Sequence, residues 1–173
     1  MPSGLHLSYA CLLAQIHPSP SRLLMLMDPL LMVGILGKAI NAYKDADYLS
    51  SLPRSLEDEL TLGTSEDDVL VSPLVAPRPL LALFPPTLLL STDVDACLDE
   101  NVQFRANLEA AGVRTRMEIV RGKIQHIPAQ LCSYKILILG LPHGFLAFCK
   151  MSKSCQEGVE TVTNIMKEFV ETI

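Results

Sequence analysis

Pro85-Pro86-Thr87-Leu88-Leu89-Leu90-Ser91-Thr92-Asp93-Val94-Asp95 is the stretch on which the fold turns. Two prolines open it and two acids close it. The apolar run between them lacks the alternation of a strand with one wet face. A short unbroken run of this kind reads as a central strand buried on both sides, as in parallel sheets covered by helices above and below. Downstream, Phe104, Leu108 and Ala111 recur at helical spacing, and Gly112 supplies a natural stop just past the helix. Val113, Thr115, Met117 and Ile119 then alternate with Arg114, Arg116 and Glu118, the period of a strand with one wetter face. Val159, Val162, Met166, Phe169, Val170 and Ile173 form the apolar stripe of a closing amphipathic helix. This order of strands and helices predicts the α/β class with a mostly parallel sheet.

Working backwards from the leucine run, Pro73, Pro77 and Pro79 predict an extended loop. Leu5 to Leu13 reads as a buried strand before the Pro18-Ser19-Pro20 punctuation. Ser21 is placed to cap a helix carrying Leu23, Leu24 and Met27, which Pro29 breaks or restarts, and residues 30–43 read as a second helix. From Lys44 to Val69 the composition turns polar and acidic, with Glu57-Asp58-Glu59 and Glu66-Asp67-Asp68, and reads as a solvated surface. Residues 14–71 are therefore expected to be a helical insertion followed by an acidic surface segment.

Composition narrows the function classes. The 173 residues are 49% hydrophobic and 19% charged, with a mean hydropathy of +0.32. That is too apolar for a disordered chain, and the length suits one domain. Fourteen Lys+Arg stand against nineteen Asp+Glu, for a net charge of −5. No basic stripe offers itself to nucleic acid. Cys11, Cys97, Cys132, Cys149 and Cys155 are odd in number and form no C-x-x-C pair, which favours reduced cytosolic thiols over a disulfide framework or a zinc site. Leu23 to Ile40 is the greasiest stretch, but Asp28, Pro29 and Lys38 interrupt it, so no transmembrane span is expected. The first residues carry no secretory signal pattern.

In parallel sheets ligands gather beyond the carboxyl ends of the strands. Asp95 follows the leucine strand, and His143 lies in Leu141-Pro142-His143-Gly144-Phe145, after what reads as the next strand. An acid and a histidine at adjacent strand ends suit the orienting half of a Ser-His-Asp triad. By residue types alone a histidine near a glycine is more often an ordinary loop residue, and Asp93 and Asp99 compete with Asp95. His6, His17 and His126 have no partner at metal-ligand spacing and read as structural or surface groups.

Three further stretches carry a family resemblance: Asp95-Ala96-Cys97-Leu98-Asp99-Glu100, Leu108-Glu109-Ala110-Ala111-Gly112-Val113, and Ser72-Pro73-Leu74-Val75-Ala76-Pro77. With the His143 loop, they resemble the hormone-sensitive lipase family of α/β-hydrolases, Ala96 standing where that family usually has proline. Pro18-Ser19-Pro20-Ser21-Arg22-Leu23-Leu24 and Met27-Asp28-Pro29-Leu30-Leu31 are similar to the animal lipases more narrowly. The resemblance implies the C-terminal part of an α/β-hydrolase fold, with a mostly parallel sheet and a helical cap insertion around Leu23–Tyr43. It implies a carboxylic ester hydrolase working on lipophilic esters such as acylglycerols, with Asp95 and His143 as acid and base. No metal or organic cofactor is implied. The location implied is cytoplasmic, with a lipid-droplet surface as a partner. The regulated segment of the animal enzymes does not carry over, because only Lys44 to Val71 fills its place.

Two departures qualify that expectation. Triad chemistry needs a serine on a tight strand-to-helix elbow, usually G-x-S-x-G, and a nearby oxyanion hole. The sequence contains no G-x-S-x-G and no His-Gly-Gly motif; Gly63-Thr64-Ser65-Glu66-Asp67 lacks the second glycine. The chain is therefore expected to lack its nucleophile and to be inactive alone, with poor solubility from exposed strand edges. The alternative is a non-catalytic truncated protein that binds lipid or a partner. Lys123 to Gly140 is the other departure. It separates Arg121-Gly122 from the histidine loop and holds the β-prone run Ile136-Leu137-Ile138-Leu139, so residues 123–140 read as an aberrant insertion, a retained in-frame intron or gene-model error.

Overall fold

Apolar runs, prolines and glycines set the element boundaries. In chain order the elements are β1 (Leu5–Ser8), α1 (Pro20–Leu24), a 3-10 turn (Pro73–Val75), α2 (Arg78–Leu81), β2 (Thr87–Thr92), α3 (Leu98–Ala110), β3 (Thr115–Val120), a second 3-10 turn (Phe145–Phe148) and α4 (Lys153–Thr172). The computed structural model describes residues 2–14, 19–24, 68–122, 141, 143–148, 150 and 153–173. The helix expected over 30–43, most of the acidic segment, the 123–140 block, His17 and His126 lie outside the described residues.

Among the described residues, three strands form one parallel sheet in the order β1-β2-β3. Leu89 stands beside Leu7 on one side and Met117 on the other. All six residues of β2 are buried, as the unbroken leucine run predicts. Its side chains divide between two cores. Leu88 and Leu90 pack with Val120, Leu141, Phe145 and the inner face of α4 through Val162 and Phe169. Leu89 packs with Phe104 and Leu108 of α3 and with Leu12, Leu81 and Val113. Burying a leucine in this way contributes roughly 1.5–3 kcal/mol, so β2 is the main apolar anchor of the described fold.

Helix α3 ends as its sequence requires. Gly112 sits in the left-handed region at φ 85°. The Gly112 N–H donates to Glu109 O and the Val113 N–H to Leu108 O, the paired bonds that close a helix over a glycine.

Several expectations need correction. The first strand stops at Ser8 rather than Leu13. Tyr9 turns to φ 40°, and several backbone N–H groups of residues 10–14 go to side chains instead of a ladder. Leu12 and Leu13 donate to Glu100, and Ala14 donates to Ser72 Oγ. β1 pairs with β2 along its whole length. Ser19, not Ser21, caps α1, its Oγ accepting from the Arg22 N–H at 3.2 Å. Pro20 then takes the first helical position, where a missing N–H costs nothing. The loop expected through Pro73, Pro77 and Pro79 contains two short helical turns, each with proline in its first two positions. In α4 the buried residues are Cys155, Gly158, Val162 and Phe169. Met166, Val170 and Ile173 are exposed, so the inward stripe is narrower than the sequence suggests. Among the described residues, no helix is long and apolar enough to cross a membrane.

Candidate active site

The carboxyl end of β2 fixes three acids, and each has a different partner. Asp93 Oδ1 accepts the Leu141 N–H at 2.9 Å, which holds the start of the histidine loop against the end of the strand. Asp99 Oδ2 accepts the Ser21 N–H at 2.8 Å and docks the first turn of α1. Asp95 reaches the histidine: its Oδ1 lies 2.9 Å from His143 Nδ1. Of the three competing carboxylates, only Asp95 meets the imidazole.

Local backbone chemistry explains that meeting. Asp95 precedes the first turn of α3, and its Oδ1 also accepts the Cys97 N–H at 2.9 Å. The carboxylate is fully buried, while the imidazole keeps 25% of its surface. On the other side of the contact, Gly144 takes φ 73° directly after His143. A Cβ built there would meet nothing within 4 Å, so the glycine is required by the backbone turn rather than by crowding. Phe145 then plunges into the core and anchors the loop. The strand expected just before His143 lies outside the described residues.

Tyr9 completes the wall around the imidazole, and no sequence signal singled it out. Its ring centroid lies 5.2 Å from that of His143 and 6.0 Å from that of Phe145. Positive φ is uncommon for a tyrosine and costs backbone energy. The Tyr9 N–H donates to Leu90 O at 2.6 Å and holds the turn in place. Burial pushes the phenol up to about 12, partly offset by the Leu146 backbone. Asp95 Oδ2 and the hydroxyls of Ser91 and Thr92 are buried without a hydrogen-bond partner among the described residues. His6 stands apart from this cluster as a structural group: its Nε2 meets Ser8 Oγ at 2.9 Å, and burial lowers its pKa.

A second buried cluster braces the site from below. Glu100 Oε2 accepts the N–H groups of Leu12 and Leu13 at 3.0 and 3.1 Å. Its Oε1 pairs with the Arg22 guanidinium, both side chains being almost wholly buried. Burial raises the Glu100 pKa, with Arg22 and the two amides pulling the other way. Asn101 Nδ2 donates to Ala10 O and Cys97 O. Together these bonds lock the segment after β1 to the first turn of α3, the turn that follows Asp95.

Donor atoms of Asp95, Cys97 and His143, and separately of Cys11, Cys97 and Glu100, lie within 4.8 Å of one another. In the first group the acid and the imidazole are already committed to each other, and in the second Glu100 is committed to Arg22 and two amides. Chemically, the arrangement can hold an imidazole in one tautomer, stabilise its cation through a buried carboxylate, and present the ring from a rigid loop.

A family model described as the alpha/beta hydrolase fold matches residues 4–127. Hormone-sensitive lipase from Ictidomys tridecemlineatus is 43% identical over 63 residues, 36% of this chain and 8% of that protein. Among solved structures, carboxyl esterase 2 from Tuber melanosporum superposes with a TM-score of 0.60 at 20% identity, covering 94% of this chain and 43% of that one. A hormone-sensitive lipase from a metagenome library gives 0.65 at 17% identity, with 98% and 45% covered. Brefeldin A esterase, a bacterial homologue of human hormone-sensitive lipase, gives 0.61 at 16% identity, with 99% and 40% covered. At such identities these structures speak to fold alone. The chain spans less than half the length of each of these three structures, and its match to the curated lipase covers 8% of that protein.

Proposed function

The chain belongs to the alpha/beta hydrolase fold family, and we propose that it carries the acid and base of an ester hydrolase of the hormone-sensitive lipase type. One observation carries the reading: the buried Asp95 carboxylate lies 2.9 Å from the Nδ1 of His143, beyond the carboxyl end of a central parallel strand.

In this proposal a serine hydroxyl outside these 173 residues attacks the ester carbonyl. His143 takes the hydroxyl proton as general base and returns it to the leaving alcohol as general acid. Asp95 holds the tautomer with Nδ1 protonated and stabilises the imidazolium while it lasts. Tyr9 packs against the ring, and Phe145 anchors its loop in the core. The substrates are lipophilic esters such as acylglycerols, met in the cytoplasm at a lipid-droplet surface; the partial identity to a hormone-sensitive lipase supports this class.

The test uses the intact protein that contains this chain, assayed on a short-chain nitrophenyl ester. Turnover is expected from the intact protein, none above buffer from the 173 residues alone, and a collapse of kcat in His143→Ala. Full activity in that variant would overturn the proposal. A second reading, a non-catalytic lipid- or partner-binding protein, is favoured by the lack of a G-x-S-x-G motif in the sequence. Stable accumulation of this chain from its own start site, with no ester turnover in any longer form, would support it instead.

A further inference from the structure

We propose that Cys11 and Cys97 are a redox-sensitive dithiol, which a peroxide converts to a disulfide directly beneath the Asp95–His143 pair.

The two sulfurs come from different parts of the chain. Cys11 is exposed on the segment after β1, and Cys97 is fully buried at the cap of α3. Their Sγ atoms lie within 4.8 Å of each other. A disulfide needs about 2 Å between sulfurs, so side-chain rotation and a small backbone shift close the gap. The segment bearing Cys11 is already tied to α3 on both sides of that cysteine, by Asn101 to Ala10 and by Glu100 to Leu12 and Leu13. These bonds hold the thiols together in the reduced protein, which lowers the entropy to be lost on closing the bridge.

The environment gives the two thiols different roles. The closeness of the two thiols sets the Cys11 pKa below the usual thiol value and that of Cys97 above it, with burial raising Cys97 further. Cys11 is therefore the more nucleophilic sulfur and also the one solvent reaches. Its thiolate attacks a peroxide, forming the S–O bond of a sulfenic acid as the O–O bond breaks and the first water leaves. The Cys97 sulfur then attacks the Cys11 sulfur, its proton leaves with the hydroxyl as a second water, and the S–S bond forms. In sum, two thiols and one peroxide give one disulfide and two waters. Cys155 does not compete, because it packs in the α4 core on the other face of the sheet. Glu100 does not convert the pair into a metal site, since both its oxygens are already engaged.

Closure acts on the site through Cys97. Its N–H bonds Asp95 Oδ1, and its sulfur lies within 4.8 Å of donor atoms of both Asp95 and His143. Drawing that sulfur toward Cys11 moves the cap that holds the carboxylate. Any effect on turnover rests on the hydrolase reading above, whereas the dithiol chemistry does not.

The experiment therefore reads thiols and needs no ester turnover. The fully reduced 173-residue chain is treated with hydrogen peroxide, blocked with N-ethylmaleimide and mapped by tryptic mass spectrometry. The expected result is loss of two of the five alkylatable thiols and a dithiothreitol-reversible link between the Cys11 and Cys97 peptides. Cys11→Ser abolishes the link. Cys97→Ser leaves Cys11 as a sulfenic acid that dimedone traps. Both cysteines remaining alkylatable after peroxide would overturn the proposal, as would Cys11 pairing with Cys132 or Cys149 in place of Cys97.

Discussion

Replacing Arg22 by leucine probes the buried clamp that supports the site. Arg22 and Glu100 are 5% and 6% exposed, so neither charge has water to fall back on. Removing one member of such a pair costs about 3–5 kcal/mol, because the remaining charge is left uncompensated. Glu100 can escape that cost by taking up a proton, which makes the loss depend on pH. Burial already raises its pKa in the folded protein above the ordinary 4.5, and Arg22 opposes the rise. A group whose folded pKa is raised stabilises the fold fully below its unfolded pKa and loses that contribution as pH climbs through the folded value. Without Arg22 the folded value climbs further, and the window of falling stability widens upward. Arg22→Leu is therefore expected to cost about 3–5 kcal/mol near neutral pH, and less near pH 4.5, where a proton relieves the uncompensated charge left on Glu100. Urea denaturation followed by far-UV circular dichroism at the two pH values measures the difference. An equal cost at both, or a cost that grows as pH falls, would refute the reasoning.

Other consequences can be checked in the same way. Leu88→Ala removes a fully buried side chain from β2, and a loss of about 2–5 kcal/mol in urea unfolding is expected. Asp93→Ala strips the acceptor from the Leu141 N–H; at roughly 1–3 kcal/mol for a lost partner, that amide should exchange with deuterium about 5- to 150-fold faster. Gly144→Ala places a Cβ at φ 73° with nothing in its way, so about 1–2 kcal/mol of backbone strain is expected. Its effect on ester turnover in the intact protein should exceed its effect on stability, because the residue beside it is His143.

Much of the fold could be read directly from the residues. The leucine run of β2 was legible because burial on both faces removes alternation altogether, a pattern few other elements produce. The end of α3 was legible because Gly112 does a job that residues with a Cβ do poorly. The end of the first strand is not legible, because apolar composition continues past Ser8, whereas that end is set by Tyr9 turning to positive φ and by side-chain acceptors far along the chain. The inward stripe of α4 is narrower than its periodicity suggests, since periodicity shows which residues share a face but not where its solvent rim begins. The prolines of 73–79 suggested extended chain, yet proline fits the first turn of a helix equally well.

The candidate site was legible only in part. Residue types and order put Asp95 and His143 at strand ends, but Asp93 and Asp99 had equal claim on chemistry alone. Only the three-dimensional placement separates them, by giving each acid its own partner. Tyr9 and Cys97 were not legible as neighbours of the imidazole, since contacts between segments far apart in the chain leave no local signature. The Arg22–Glu100 clamp escaped for the same reason, its two charges standing 78 residues apart.

The most direct measurement is the kcat of the Asp95→Asn variant of the intact protein on a short-chain nitrophenyl ester. Asparagine fills the same space but cannot stabilise the imidazolium, so turnover should fall by about 10⁴-fold with the fold unchanged by circular dichroism. A correctly folded variant that turns over ester at close to the parent rate would contradict the account.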